Sequence, residues 1–221
     1  MEQLLSSQSI VIVANNFNPS IINSHWLIQN KIISEGESKS NCLYSDGLSQ
    51  TITEDFTLLV LLQQLQLTPI KNESASNVIT EKLVPLISKL PQTPYSASGI
   101  NFTWHISGFP GGISSLSEGL FYQPKSPLNQ FFNSSDSRFG VYMSKDVEGC
   151  RLKFSALPVK RLKTGDVTIS NDFAKDSEHL QVNFNFHLAL NQNNALEELL
   201  RFIKSRDIYY KMAFDIINTI S

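Results

Sequence analysis

The chain has 221 residues, of which 41% are hydrophobic and 17% charged, with Phe 14, Tyr 6 and Trp 2. A chain of this length and aromatic content folds around a sizeable core, burying roughly 70% of the surface its unfolded form exposes, and intrinsic disorder is excluded. The net charge of -2 excludes a global positive field for nucleic acid or anionic membrane, and the low charged fraction leaves Ser, Asn, Gln and Thr to cover the surface, as in a subunit of an assembly.

Ser9 to Ala14 is β-branched and predicts a first strand. No Lys or Arg precedes it, and its apolar run is too short for a signal core or a bilayer span, so a cytoplasmic protein without membrane attachment is expected. The turn NNFNPS follows; Ser24 then caps a short helix that faces Trp26, Leu27 and Ile33 inward and Asn30 and Lys31 outward. Ser34 to Asp46 reads as a polar loop in which Cys42, Leu43 and Tyr44 pair briefly. Gln50 to Ile70 is the most apolar stretch, and its Thr, Ile and Val content predicts one long strand or a bent pair, buried on both faces near Leu58 to Leu62. Ser76 or Asn77 caps the next helix, whose Ile79, Leu83, Leu86, Ile87 and Leu90 recur at helical spacing, with Pro85 kinking it.

In GINFTWHISG, Ile100, Phe102, Trp104 and Ile106 alternate with Asn101, Thr103 and His105, the pattern of a half-buried strand. Residues 108–136 hold a Gly-rich turn containing Pro110, then two further prolines, and predict a mobile loop with short helical turns, the one place where the chain could subdivide. Arg138 to Met143 and Gly149 to Ala156 flank KDVEG as a β-hairpin. DVTISNDF and HLQVNFNFHLAL supply further strands around the acidic turn AKDSE. Asn193 or Asn194 then caps one long amphipathic helix carrying Leu196, Leu199, Leu200, Ile203, Tyr210, Phe214 and Ile217. The whole predicts an α+β fold over residues 1–221 as a single domain: a largely antiparallel sheet with helices packed on one face, in two pseudo-duplicated halves.

NFTWH and NFNFH each hold one of the four histidines. Side by side, they would place His105 and His187 on one polar face as weak candidates for a metal, but the neighbours on that face are amides and a hydroxyl rather than carboxylates or thiolates. The ordinary role of partly exposed polar residues on an amphipathic sheet is favoured, and no cofactor is expected. No GxSxG elbow, P-loop or dinucleotide fingerprint occurs. Cys42 and Cys150 have no CxxC neighbour and read as reduced thiols. Of the carboxylates, Glu197 and Glu198 suit the first turn of the last helix, and Glu54 with Asp55 and Asp172 with Asp176 show no catalytic pattern. Arg151, Lys153, Lys160, Arg161 and Lys163 form a basic cluster that, beside the aromatic strands, could stack bases and grip phosphates; a charged hairpin edge is the plainer reading.

NNFNPSIINSHWL, PYSASGINF and LEELLRFIKSRDIYYKMAFDIINTI resemble segments of a set of bacterial hypothetical proteins of similar length. The resemblance implies one compact domain, with no assigned activity and no functional residues to carry over. The leading expectation is a non-enzymatic protein-binding or assembly component, binding another protein or itself as a homo-oligomer through sheet edges or the final helix. The alternative is a nucleic-acid-associated accessory protein, as in a bacterial defence system against mobile elements, using the 151–163 cluster. The third is a metal-dependent hydrolase around His105 and His187.

Overall fold

The computed structural model describes residues 1–134, 136–164, 167–172 and 178–220, with the backbone alone at 162–164 and 167–172. The strands are β1 (Glu2–Ala14), β2 (Leu43–Ser45), β3 (Leu48–Ile52), β4 (Phe56–Leu61), β5 (Gln64–Pro69), β6 (Tyr95–Ser107), β7 (Val141–Val147), β8 (Cys150–Thr164), β9 (Val167–Asp172) and β10 (His179–Ala189). The helices are α1 (Ser24–Gln29), α2 (Ala75–Val78), α3 (Val84–Ser88), α4 (Gly112–Phe121), α5 (Ala195–Lys204) and α6 (Arg206–Ile220). All described strand pairs are antiparallel, in the order β2-β3-β4-β5-β1-β6-β10-β8-β7, and β9 pairs with β8. The fold is therefore the expected α+β class. No helix among the described residues is long and apolar enough to cross a membrane.

The strand order reads nearly the same from either end. In each half a long strand (β1 or β6) leads into a helix (α1 or α4) and then a meander. The last strand of the meander (β5 or β10) returns to pair with the long strand, and a further helix follows. The two long strands meet at the centre, with Ile10 opposite Ile100 and Gln8 opposite Phe102.

Alternation decides which face is buried. Ile10, Ile12, Leu58, Val60, Leu65, Leu67, Phe102, Trp104, Phe154, Phe184 and Phe186 form one cluster with the inward residues of the helices, among them Leu27, Leu86, Leu116, Phe202, Tyr209 and Ile217. Burying a side chain of this size stabilises by about 1.5–3 kcal/mol. The rings also meet edge to face: Trp104 and Phe184 centroids are 5.4 Å apart, and Phe154 and Phe184 are 5.3 Å apart.

Several local expectations are corrected. Gln50 to Ile70 is three strands rather than one or two. Thr53 Oγ1 accepts the N–H groups of Asp55 (3.1 Å) and Phe56 (3.0 Å) and closes the first turn, and the exposed Leu62 with Gln63 makes the second. Nor is the stretch buried on both faces, because Leu59 and Leu61 are only half-buried. Asn23 rather than Ser24 caps α1, its side chain accepting Trp26 N–H at 3.0 Å, and Trp26 is half-buried. The helix expected from Ser76 starts at Ala75, and a π turn at Ile79–Leu83 separates α2 from α3. There Val84 N–H bonds to Ile79 O. The widened turn lies just before Pro85, whose ring would otherwise meet the carbonyl four residues back.

Within 108–136, α4 is a regular helix. Ile113 and Leu116 anchor it to the core, and Pro124 and Pro127 fall past its end. The long final helix is two helices broken at Ser205, whose N–H and hydroxyl both bond to Arg201 O. Asn194 stands at the N-cap of α5 without a side-chain capping bond. Most of the acidic turn AKDSE lies outside the described residues.

The break places Arg206 in the core. Its guanidinium lies 5.3 Å from the Phe102 ring centroid and 4.7 Å from that of Tyr210, donates to Gln8 Oε1, and meets Asp207 at 2.6 Å. Gln8 Nε2 donates to Asn72 Oδ1 at 2.9 Å, and Asn72 Nδ2 donates to Leu5 O at 2.6 Å, beside the register shift between Leu5 and Ser7. A connected polar group thus ties the start of α6 to β1 and to the loop after β5.

Candidate functional site

Opposite the helices, the odd-numbered residues of β6, β8 and β10 form a second face, part-exposed around Asn101, Thr103, Ser155, Asn183 and Asn185 and buried towards His105 and Val159. Asn185 Nδ2 donates to Asn101 Oδ1 at 2.6 Å, Thr103 Oγ1 to Asn183 Oδ1 at 3.0 Å, and Asn183 Nδ2 to Ser155 Oγ at 3.3 Å. On β5, Gln64 reaches Gln66 and Gln66 reaches Thr68. These amides satisfy one another, so the face is ordered and polar while carrying little charge. Gly99 leaves room for the array: a Cβ there would lie 2.9 Å from Asn185 Nδ2.

His105 and His187 share this face, but the register keeps them apart. His105 stands opposite Gln181 and His187 opposite Gly99, six residues along β6, or about 20 Å. The neighbour of His105 is instead His179, with ring centroids 5.9 Å apart. His105 Nε2 meets Gln181 Oε1 at 3.1 Å. Burial, with Arg161 and His179 adding repulsion, pushes the His105 imidazole down to about 4. Burial and Arg161 lower His179; burial and Lys153 lower His187. Among the described residues no three His, Cys, Asp or Glu side chains gather as a metal would require.

The basic residues spread over β8. Arg151 and Lys163 are twelve residues apart, roughly 40 Å on an extended strand. Arg151, Lys153 and Arg161 share the open face by alternation, whereas Lys160 belongs to the opposite one, and the side chain of Lys163 lies outside the described residues. Arg151 is engaged by Asp146 at 2.9 Å and 3.1 Å. Phe102, Trp104, Phe184 and Phe186 are buried beneath the helices, so the rings of these strands offer no stacking platform beside the cations.

The remaining candidates take structural positions. Glu54 pairs with Lys39 at 2.9 Å, and Glu198 accepts Asn191 N–H at 3.3 Å. The side chains of Asp172 and Asp176 lie outside the described residues. Both cysteines are unpaired, and burial raises the Cys150 thiol, which makes it a poor nucleophile. A cavity of about 660 Å³ beside the start of α5 is lined by Asn15, Thr93, Ser96, Gln192, Asn194 and Glu197 without a nucleophile and base in contact.

The sequence reading missed a second surface. β7 ends the sheet order, so its outer edge has no strand partner among the described residues. On its helix side, next to Ile216 of α6, lies a groove of about 350 Å³ lined by Met143, Lys145, Leu152, Phe154 and Ile216. Met143 is 52% and Tyr142 66% exposed. Hairpin alternation foretold the strand; the groove beside it depends on how α6 packs across the sheet, which no local pattern carries. No known family model matches the chain, and no curated protein matches it in sequence.

Proposed function

We propose that this protein is a non-enzymatic assembly component that pairs with a second copy of itself through the free edge of β7. The carrying observation is the conjunction of that unpaired edge with the uncovered apolar groove beside it. The strand is self-complementary. In an antiparallel pair centred on Ser144, Tyr142 stands opposite Asp146 and Met143 opposite Lys145, so no like charges face each other. The unpaired cysteines fit a reducing compartment, and we place the protein in the cytosol on that ground. A nucleic-acid role has less support, because the cations are dispersed and the aromatic rings of β6 and β10 face the core.

Light scattering across a concentration series tests the proposal. A dimer is expected, dissociating at least about tenfold more readily in Met143→Lys, which sets lysines opposite each other. Adding Lys145→Glu to that variant restores opposite charges and the dimer. A wild-type monomer at all concentrations, or no effect of the charge swap, sinks it.

A further inference from the structure

The open sheet face has one place where hydrogen bonding is incomplete. His105 Nδ1, His179 Nδ1 and Arg161 Nε are each buried without a hydrogen-bond partner among the described residues. The three side chains are neighbours. His105 and His179 rings lie 5.9 Å apart, His179 stands opposite Val159 across β10 and β8, and Arg161 is two residues further along the same face of β8. His105 is only 6% exposed, and the charge of Arg161 is felt by both rings. An unpaired buried polar atom is costly because it gives up its hydration for nothing, and three in one place point to a missing common partner.

The chemistry of that partner follows from the donors. Arg161 Nε–H donates in every protonation state, so whatever completes the group must accept. Imidazole Nδ1 joins it by carrying the ring proton, and the Gln181 amide can turn to present its NH₂ to His105 Nε2. A metal ion would need both Nδ1 lone pairs, but it would sit beside a guanidinium with no carboxylate or thiolate to complete a set of three ligands among the described residues. Glu178 is exposed and acts on His179 against an anion; Arg161 acts the other way. We propose that His105, His179 and Arg161 form a binding site for a small oxyanion, phosphate or carboxylate, on the open face of the sheet. This site is independent of the β7 edge, so either proposal can fail alone.

The test uses the intact protein and inorganic phosphate, with acetate as a second arm and chloride at matched ionic strength as the control. Phosphate is expected to shift the ring resonances of His105 and His179 saturably while leaving His187 unmoved, and Arg161→Gln to weaken that binding at least about tenfold with an unchanged circular dichroism spectrum. Arg161→Lys serves as the second variant: it keeps the charge, loses the Nε donor, and is expected to bind more weakly than the wild type. Saturation by acetate alone supports the site and assigns it to a planar carboxylate. No saturable shift, equal shifts with chloride, wild-type affinity in both Arg161 variants, or a stoichiometric zinc ion held by both histidines would each overturn the proposal.

Discussion

Arg206 shows how a charged residue can occupy a core when each contact is specific. Its guanidinium lies over two rings and donates to Gln8, which is itself buried. Arg206→Met retains much of the packing and leaves Gln8 Oε1 without its donor. It is expected to lower stability by about 2–3 kcal/mol in urea unfolding. The added change Gln8→Leu should cost less than the sum of the two single changes, since both report on one contact. His105 makes the opposite case, a titratable group held neutral. Its folded pKa is about 4 against an ordinary 6.5, so the unfolded chain takes up a proton that the folded chain refuses between these values. Its effect on stability is nil above pH 6.5 and grows unfavourable as pH falls, levelling off below about 4, on the order of 2–3 kcal/mol in all. His105→Gln is expected to flatten that decline in a series of denaturant melts; an unchanged slope would show that His105 does not carry it.

Elements here are bounded by devices of very different visibility. The β7–β8 hairpin turns at Glu148 and Gly149, with φ of 45° and 79°, the left-handed pair that a two-residue turn between twisted strands requires. Glu at the first position is strained. Glu148→Asn is expected to raise stability by about 0.5 kcal/mol and Gly149→Ala to lower it by about 1 kcal/mol, read as opposite shifts in melting temperature. The glycine of KDVEG made the turn legible, but only Glu148 and Gly149 form it: Lys145, Asp146 and Val147, expected in the turn, belong to β7. The turn at Leu62 and Gln63 was not legible, having neither Gly, Pro nor Asn, and so β4 and β5 read as one stretch. The break at Ser205 was equally hidden, since Ser is ordinary in a helix and the apolar spacing continues through it. The break at Ser205 goes with the burial of Arg206 against Gln8, a contact between residues 198 positions apart that no local pattern shows.

At the scale of the molecule, the two halves meet through twelve paired positions of β1 and β6 and share one apolar cluster. Unfolding is therefore expected as one transition, in which fluorescence of the buried Trp104 and far-ultraviolet circular dichroism lose signal together. Ile100→Ala at the seam should lower that single midpoint by about 2–4 kcal/mol of stability. Two separated transitions would show that the halves fold independently.

The sequence alone determined the elements that rest on periodicity: β1 from Ser9 onward, β6, β10, the β7–β8 hairpin, the burial of Leu199, Ile203 and Ile217 on the last helices, and that of Phe102, Trp104, Phe184 and Phe186; Phe214, expected on the same helical stripe, is exposed, and Phe202 and Tyr209 are buried instead. The elements so determined follow from steric alternation along one segment, which needs no knowledge of its neighbours. Likewise the antiparallel α+β class followed from strands that do not alternate strictly with helices. Only the tertiary structure decided which strands pair and in what register. Register set His105 beside Gln181 and His179 instead of His187, divided the basic residues of β8 between two faces, and left the edge of β7 open. Such facts depend on the summed packing of residues far apart in the chain, and a single strand carries no record of which neighbour it will meet.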